Sequence, residues 1–190
     1  MVVDKLCNNA KEKDTVVAYF YIDFAAREEE SPTSILGSLL KQIVGRLEKV
    51  PDGVKQMFED HKKEIGERRL RAAEIVKMLQ AVTSLQPTFI CIDALDECAE
   101  GHRPEILGSL RQILEKSPNT RIFLTGRPHI RSEIDKHLSE RATVLSIEPN
   151  RDDIVGYVGM RLREDTYLER MDSGLEDEIL KCIPWNTPQT

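Results

Sequence analysis

The sequence predicts an α/β protein built on a parallel sheet, and three observations carry that prediction. Short apolar or β-branched runs alternate with longer segments whose apolar residues recur every three or four positions. That order places helices on the faces of a parallel, three-layer sheet with right-handed crossovers. One run, Thr88-Phe89-Ile90-Cys91-Ile92, shows no polar alternation, as a strand buried on both faces requires. It passes at once into the acidic string Asp93-Ala94-Leu95-Asp96-Glu97, and the carboxyl ends of such strands are where open α/β sheets bind ligands.

The elements follow in order. Residues 1–10 read as the end of a helix, with Val2, Val3 and Leu6 on one face, before a polar turn at 8–14. Residues 15–24, with Val16, Val17, Tyr19, Phe20, Tyr21 and Ile22, have the β-branched and aromatic content of a strand. A charged loop at 27–30 leads to Ser31-Pro32, an N-cap followed by proline at the first helical position. Ile35, Leu36, Leu39, Leu40, Ile43, Val44 and Leu47 then mark one buried helix face. Pro51-Asp52-Gly53 breaks it, a weaker helix carries Val54, Met57 and Phe58, and 64–69 form an exposed connection. A helix over 71–85 presents Ile75, Val76, Met78, Leu79, Val82 and Leu85, and Pro87 ends it before the central strand.

Beyond the acidic string, Gly101 and Pro104 lead into a helix with Ile106, Leu107, Leu110, Ile113 and Leu114. Residues 121–125 are the next strand, ending on Gly126-Arg127-Pro128, and a short helix follows with Ile130, Ile134 and Leu138. Thr143-Val144-Leu145-Ser146-Ile147 has strand composition and is predicted as a fourth strand. Asn150 caps a helix to about 163 with Asp152 and Asp153 in its first turn, and Ser173 caps a last helix that Pro184 is expected to stop. These readings divide the chain into an α/β core at 1–148, the start of a helical subdomain at 149–183 and a tail at 184–190.

Composition narrows the function. Of 190 residues, 40% are hydrophobic and 32% charged, enough for a core under a well-solvated surface, and the net charge is -6. That balance argues against a nucleic-acid or acidic-lipid surface. No apolar run reaches the ~20 residues that cross a bilayer, and the first residues lack the pattern of a secretory signal. Cys7, Cys91, Cys98 and Cys182 form no CxxC pair and His61, His102, His129 and His137 no metal-ligand spacing. Reduced cysteines and a cytoplasmic location are the simplest expectation.

The acidic string is the candidate site. At the end of a buried strand, Asp93 could hold Mg²⁺ through water while Asp96 or Glu97 orients or deprotonates a second water, as in the Walker B arrangement of phosphate-handling proteins. The plain alternative is a strand followed by a capped helix, near whose N-terminus acids are favourable.

Four strings in order resemble the NACHT NTPase domain of the nephrocystin-like kind, a P-loop NTPase of the STAND signalling class found in fungal proteins with ankyrin, WD40 or TPR repeats. They are Tyr19-Phe20-Tyr21-Ile22-Asp23-Phe24; Ser31-Pro32 with 35–42; Phe89 through Cys98 with its Asp-Ala-Leu-Asp-Glu-Cys; and Leu124-Thr125-Gly126-Arg127-Pro128. The similarity spans about 2–181. It implies a switch that binds and slowly hydrolyses ATP or GTP with Mg²⁺ and controls assembly, self-associating through this domain, with repeats following it. Residue by residue it implies Asp93 as the magnesium ligand, Asp96 and Glu97 as the acidic pair, with Glu97 preferred as the group activating water, and Arg127 as a sensor of the γ-phosphate. On position alone Arg127 reads equally as the salt-bridge partner of a neighbouring acid.

The sequence also departs from that pattern. It contains no G-x-x-x-x-G-K-S/T and no Gly-Lys pair, so it lacks the phosphate-cradling loop. The resemblance then implies a domain without its first strand, a vacancy between the 121–125 and 143–147 strands, and a chain that is inactive alone. Gly126 replaces a usual serine, a change expected to be minor. The alternative function is a non-catalytic module that acts only by protein interaction. A nucleic-acid-dependent ATPase is disfavoured by the acidic balance.

Overall fold

In a computed structural model of the chain, Thr88–Asp93 forms the middle strand, β2, of a three-stranded sheet. The structure describes residues 2–10, 15–26, 30–63, 70–138, 142–147, 150–164 and 173–186. Of the predicted turn at 8–14, residues 8–10 are instead helical and 11–14 lie outside the described residues, as do 27–29, 64–69 and residues 187–190 of the tail. β1 (Val16–Tyr21) and β3 (Thr120–Leu124) flank β2, both parallel to it, in the order β1-β2-β3. Tyr21 stands opposite Asp93, and Ile92 opposite Leu124, so the strands end at one rim.

Alternation along the strands separates two faces. Val16, Ala18 and Ile22 with Ile90 and Ile92 line one of them and are at most 5% exposed. Three helices complete that core: α2 (Pro32–Val44), α4 (Ala72–Thr83) and α5 (Arg103–Lys116). Between α2 and α4 lies α3 (Asp52–Lys63), and after β3 comes α6 (Arg131–Leu138). Ile35, Leu36, Leu39 and Ile43 of α2 are wholly buried, as are Leu79 and Val82 of α4 and Ile106, Leu107 and Leu110 of α5. Each such side chain contributes about 1.5–3 kcal/mol by leaving water. The start of α2 is the predicted one, with Ser31 Oγ accepting from the Ser34 N–H at 3.2 Å and Pro32 in the first turn.

On the opposite face Tyr19, Tyr21 and Phe123 are 38–41% exposed. α1 (Val2–Ala10) packs on β1 there, bringing Asp4 near Tyr21 and Cys7 near Cys91. The sheet therefore lies between helices, which makes three layers. Burial pushes the Cys91 thiol up to about 11, the mark of an inert packing cysteine rather than a nucleophile.

β1 is an edge strand, and its outer edge is closed by a side chain. Gln42 of α2 accepts from the Tyr19 N–H at 3.0 Å and donates to the Tyr19 carbonyl at 2.8 Å. One amide thus takes the place of a neighbouring strand.

Three sequence expectations need correction. The predicted fourth strand is not one: 142–147 pair with nothing among the described residues, and Val144, Leu145 and Ile147 are 42%, 79% and 89% exposed. Strand composition becomes a strand only where a ladder and a packed face are available, and the expected vacancy has no far side. Leu85 lies beyond α4 and is 58% exposed, because the helix stops at Thr83. The last helix is not stopped by Pro184 but runs to Asn186. Near a helix C-terminus a proline removes one ladder donor and leaves little helix to disrupt.

By its contacts the chain divides into two compact units, Met1–Ala142 and Thr143–Thr190. The second contains α7 (Arg151–Glu164) and α8 (Ser173–Asn186), which pack on each other. Asn150 caps α7 as predicted, accepting from the Asp153 N–H at 2.8 Å while Asp153 accepts from the Asn150 N–H at 3.3 Å.

Candidate functional site

β2 ends at Asp93, and the chain leaves the sheet through a left-handed residue. Ala94 has φ 56° and ψ 46°, the one positive φ on a non-glycine among the described residues. That conformation costs an L-residue about 1–2 kcal/mol. It turns the chain into a short 3₁₀ turn, Leu95–Glu97, in which Leu95 is buried in the core. The three predicted acids stand at the carboxyl rim, Asp93 closing β2 and Asp96 and Glu97 within the turn.

Each acid has its own partner. Asp93 Oδ1 accepts a hydrogen bond from Thr125 Oγ1, just past the end of β3. The Asp96 side chain is 6% exposed, and its Oδ2 lies 3.4 Å from Nε of Arg127, which is 74% exposed. Glu97 Oε2 accepts from the Phe24 N–H at 3.3 Å, in the turn that follows β1. The structure thus brings Asp96 and Arg127 together in the salt bridge that position alone allowed, and sends Asp93 to β3 and Glu97 to β1.

Gly126 is more constrained than the sequence expects. A Cβ there would stand 2.7 Å from Cδ1 of the buried Ile130 and 3.4 Å from Asp96 Oδ1. Any side chain would press Ile130 aside beside the carboxylate that Arg127 pairs with.

More carboxylates crowd the β1 end of the rim. Asp23 Oδ1 accepts from the Ala25 N–H at 2.9 Å, and Glu30 Oε2 from the Asp23 N–H at 3.4 Å. Burial raises the Glu30 carboxyl above its usual range. Tyr21, opposite Asp93, is held above the ordinary phenol value by partial burial and then by the Asp4 and Asp93 carboxylates. With Arg127 already paired, the rim offers negative charge suited to a cation.

Asp93 fits such a cation in a particular way. Its Oδ2 has no partner among the described residues. No three carboxylates, imidazoles or thiols among the described residues form a ready-made metal site. A hard cation at Asp93 would take most of its ligands from water and phosphate, the usual manner for Mg²⁺. The described surface groove between α4 and α5, lined by Ala72, Val76, Glu105 and Gln112, contains none of the rim residues.

Sequence reading missed three supports of this rim. Thr125 was visible only as a hydroxyl at a strand end, and the backbone N–H of Phe24 carries no sequence signal at all. The third, Arg103, is 7% exposed and donates to Glu133 at 3.0 and 2.8 Å and to the Cys98 carbonyl at 3.0 Å. It ties the end of the acidic string to α5 and α6, and its hydrogen bonds hold the Glu133 carboxyl below the usual range. A buried arginine near a helix start was not distinguishable by pattern from a solvated one.

These features define a class: an α/β protein whose three parallel strands, flanked by helices, end at one acidic rim, consistent with part of a P-loop-like fold. Residues 1–127 match the family described as Nephrocystin 3, N-terminal, and the chain belongs to that family. The match takes in all three strands, the acidic string and Arg127. No curated protein matches the chain. No helix among the described residues is long and apolar enough to cross a membrane.

Proposed function

We propose that this chain is the Walker B and sensor part of a NACHT-type STAND nucleoside-triphosphatase switch, which uses Mg²⁺ with ATP or GTP. The observation that carries the reading is the rim itself: Asp93 ends the middle parallel strand, Asp96 and Glu97 follow it, and Arg127 sits 3.4 Å from Asp96. Asp93 would hold the cation, Glu97 or Asp96 the attacking water, and Arg127 the γ-phosphate, for which its rigid donor fork is suited. Mg²⁺, when bound, neutralises charge between the β- and γ-phosphates. Arg127 would exchange Asp96 for phosphate oxygens, coupling nucleotide state to the position of the 3₁₀ turn. Self-association in the triphosphate state, repeats after this region and a cytoplasmic setting belong to the same proposal.

The absence of G-x-x-x-x-G-K-S/T from the 190 residues favours a second reading, a non-catalytic interaction module. The experiment separates the two. Calorimetric titration of this chain with MgATP and MgGTP is expected to give binding weaker than micromolar. Fusing a phosphate loop and its strand ahead of α1 should bring micromolar binding that Asp93→Asn abolishes. If the fusion binds nucleotide no better, or Asp93→Asn binds as well, the switch reading fails and the module reading stands.

A further inference from the structure

We infer that Thr125 is the positioning residue that aims the Asp93 carboxylate at its cation, an inference that rests on the proposed cation role of Asp93. Thr125 forms hydrogen bonds with four consecutive residues. Its N–H donates to the Ile92 carbonyl at 3.1 Å, and its carbonyl accepts from the Leu95 N–H at 2.9 Å. Between these, its hydroxyl accepts from the Ala94 N–H at 2.9 Å and donates to Asp93 Oδ1. The first main-chain bond keeps the β2–β3 register, but the second comes from Leu95 instead of Ala94, whose N–H the hydroxyl takes where the chain turns left-handed.

The direction of these bonds follows from proton counting. A backbone N–H can only donate, so the Ala94 N–H must use a lone pair of Thr125 Oγ1. The single hydroxyl proton is then committed to Asp93, which must accept at Oδ1 and keeps Oδ2 without a partner among the described residues. The hydroxyl therefore sets the carboxylate rotamer and supports the strained φ of Ala94 with one atom. Strained backbone persists where its surroundings over-determine it, and here the surroundings are Thr125. No other hydroxyl among the described residues bonds to Asp93.

The test compares Thr125→Val, which keeps the shape and deletes the hydroxyl, with Thr125→Ser, which keeps the hydroxyl. The probe is Mn²⁺ alone, titrated into the full chain while line broadening of the backbone amides is followed by NMR. In the wild type the amides of residues 93–97 should broaden first, and Asp93→Asn should remove that selectivity. Thr125→Val should need about tenfold more Mn²⁺, the scale on which a ligand's supporting hydrogen bond acts, while Thr125→Ser titrates like the wild type. Hydrogen exchange at Ala94 gives a readout without metal: protected in wild type and Thr125→Ser, unprotected in Thr125→Val. Broadening in Thr125→Val at wild-type Mn²⁺, with Asp93→Asn still defective, overturns the role of Thr125 and leaves the cation site standing. If Asp93→Asn broadens like wild type, the cation reading itself fails and the positioning role falls with it. If thermal melting shows Thr125→Val unfolded at the working temperature, the exchange comparison in Thr125→Ser decides: loss of Ala94 protection there overturns the proposal, and retention supports it.

Discussion

Asp96 and Glu97 are neighbours in sequence but differ in setting, and the difference makes them separable by mutation. Asp96 is 6% exposed and faces Arg127, whereas Glu97 reaches across to the backbone of Phe24. In a chain carrying a phosphate loop, Glu97→Gln is expected to leave nucleotide affinity intact and slow hydrolysis by roughly a hundred- to ten-thousand-fold, the scale of a lost general base. Single-turnover hydrolysis beside calorimetric affinity checks it, and wild-type turnover in Glu97→Gln with a dead Asp96→Asn would reverse the roles. Arg127→Ala should blunt discrimination between triphosphate and diphosphate, since only the former offers γ-oxygens to the guanidinium. Its effect on stability should stay within about 1 kcal/mol, because a cation 74% exposed gains little from one ion pair.

At the scale of elements, two side chains hold parts of the sheet unit that distant stretches of chain supply. Gln42→Leu leaves the edge N–H and C=O of Tyr19 to water, and is expected to cost about 1 kcal/mol in chemical denaturation. The bare edge should also raise self-association in light scattering. The Arg103–Glu133 pair makes the second prediction. Arg103→Met should destabilise by about 2–3 kcal/mol, less than for a wholly buried pair because Glu133 is 29% exposed. The pH dependence has a definite sign. The Glu133 carboxyl is depressed in the folded state, chiefly by the hydrogen bond from Arg103. Its contribution is therefore full above the ordinary carboxylate range and is lost as pH falls through the folded value. The stability gap between wild type and Glu133→Gln should accordingly narrow on acidification, as denaturation midpoints at a series of pH values would show. A gap that widens toward acid would contradict the clamp.

For the whole molecule, every described residue of the hydrophobic core lies between Val16 and Leu138. How much of this architecture was legible beforehand depended on whether the deciding interactions were local. The stripes of α2, α4 and α5, the Ser31 and Asn150 caps and the unbroken apolar run of β2 were determined by the sequence, because periodicity and capping act within one or two helical turns. The acidic string was legible for the same reason, since a strand end is a local event. Only the tertiary structure decided what each acid touches, because Thr125 is 32 residues from Asp93 and Phe24 is 73 from Glu97. It alone decided that 143–147 is not a strand, for β-rich residues carry the propensity while the ladder partner must come from elsewhere in the chain. Side-chain type reports what a residue can bond; the register between distant strands selects the bond it makes.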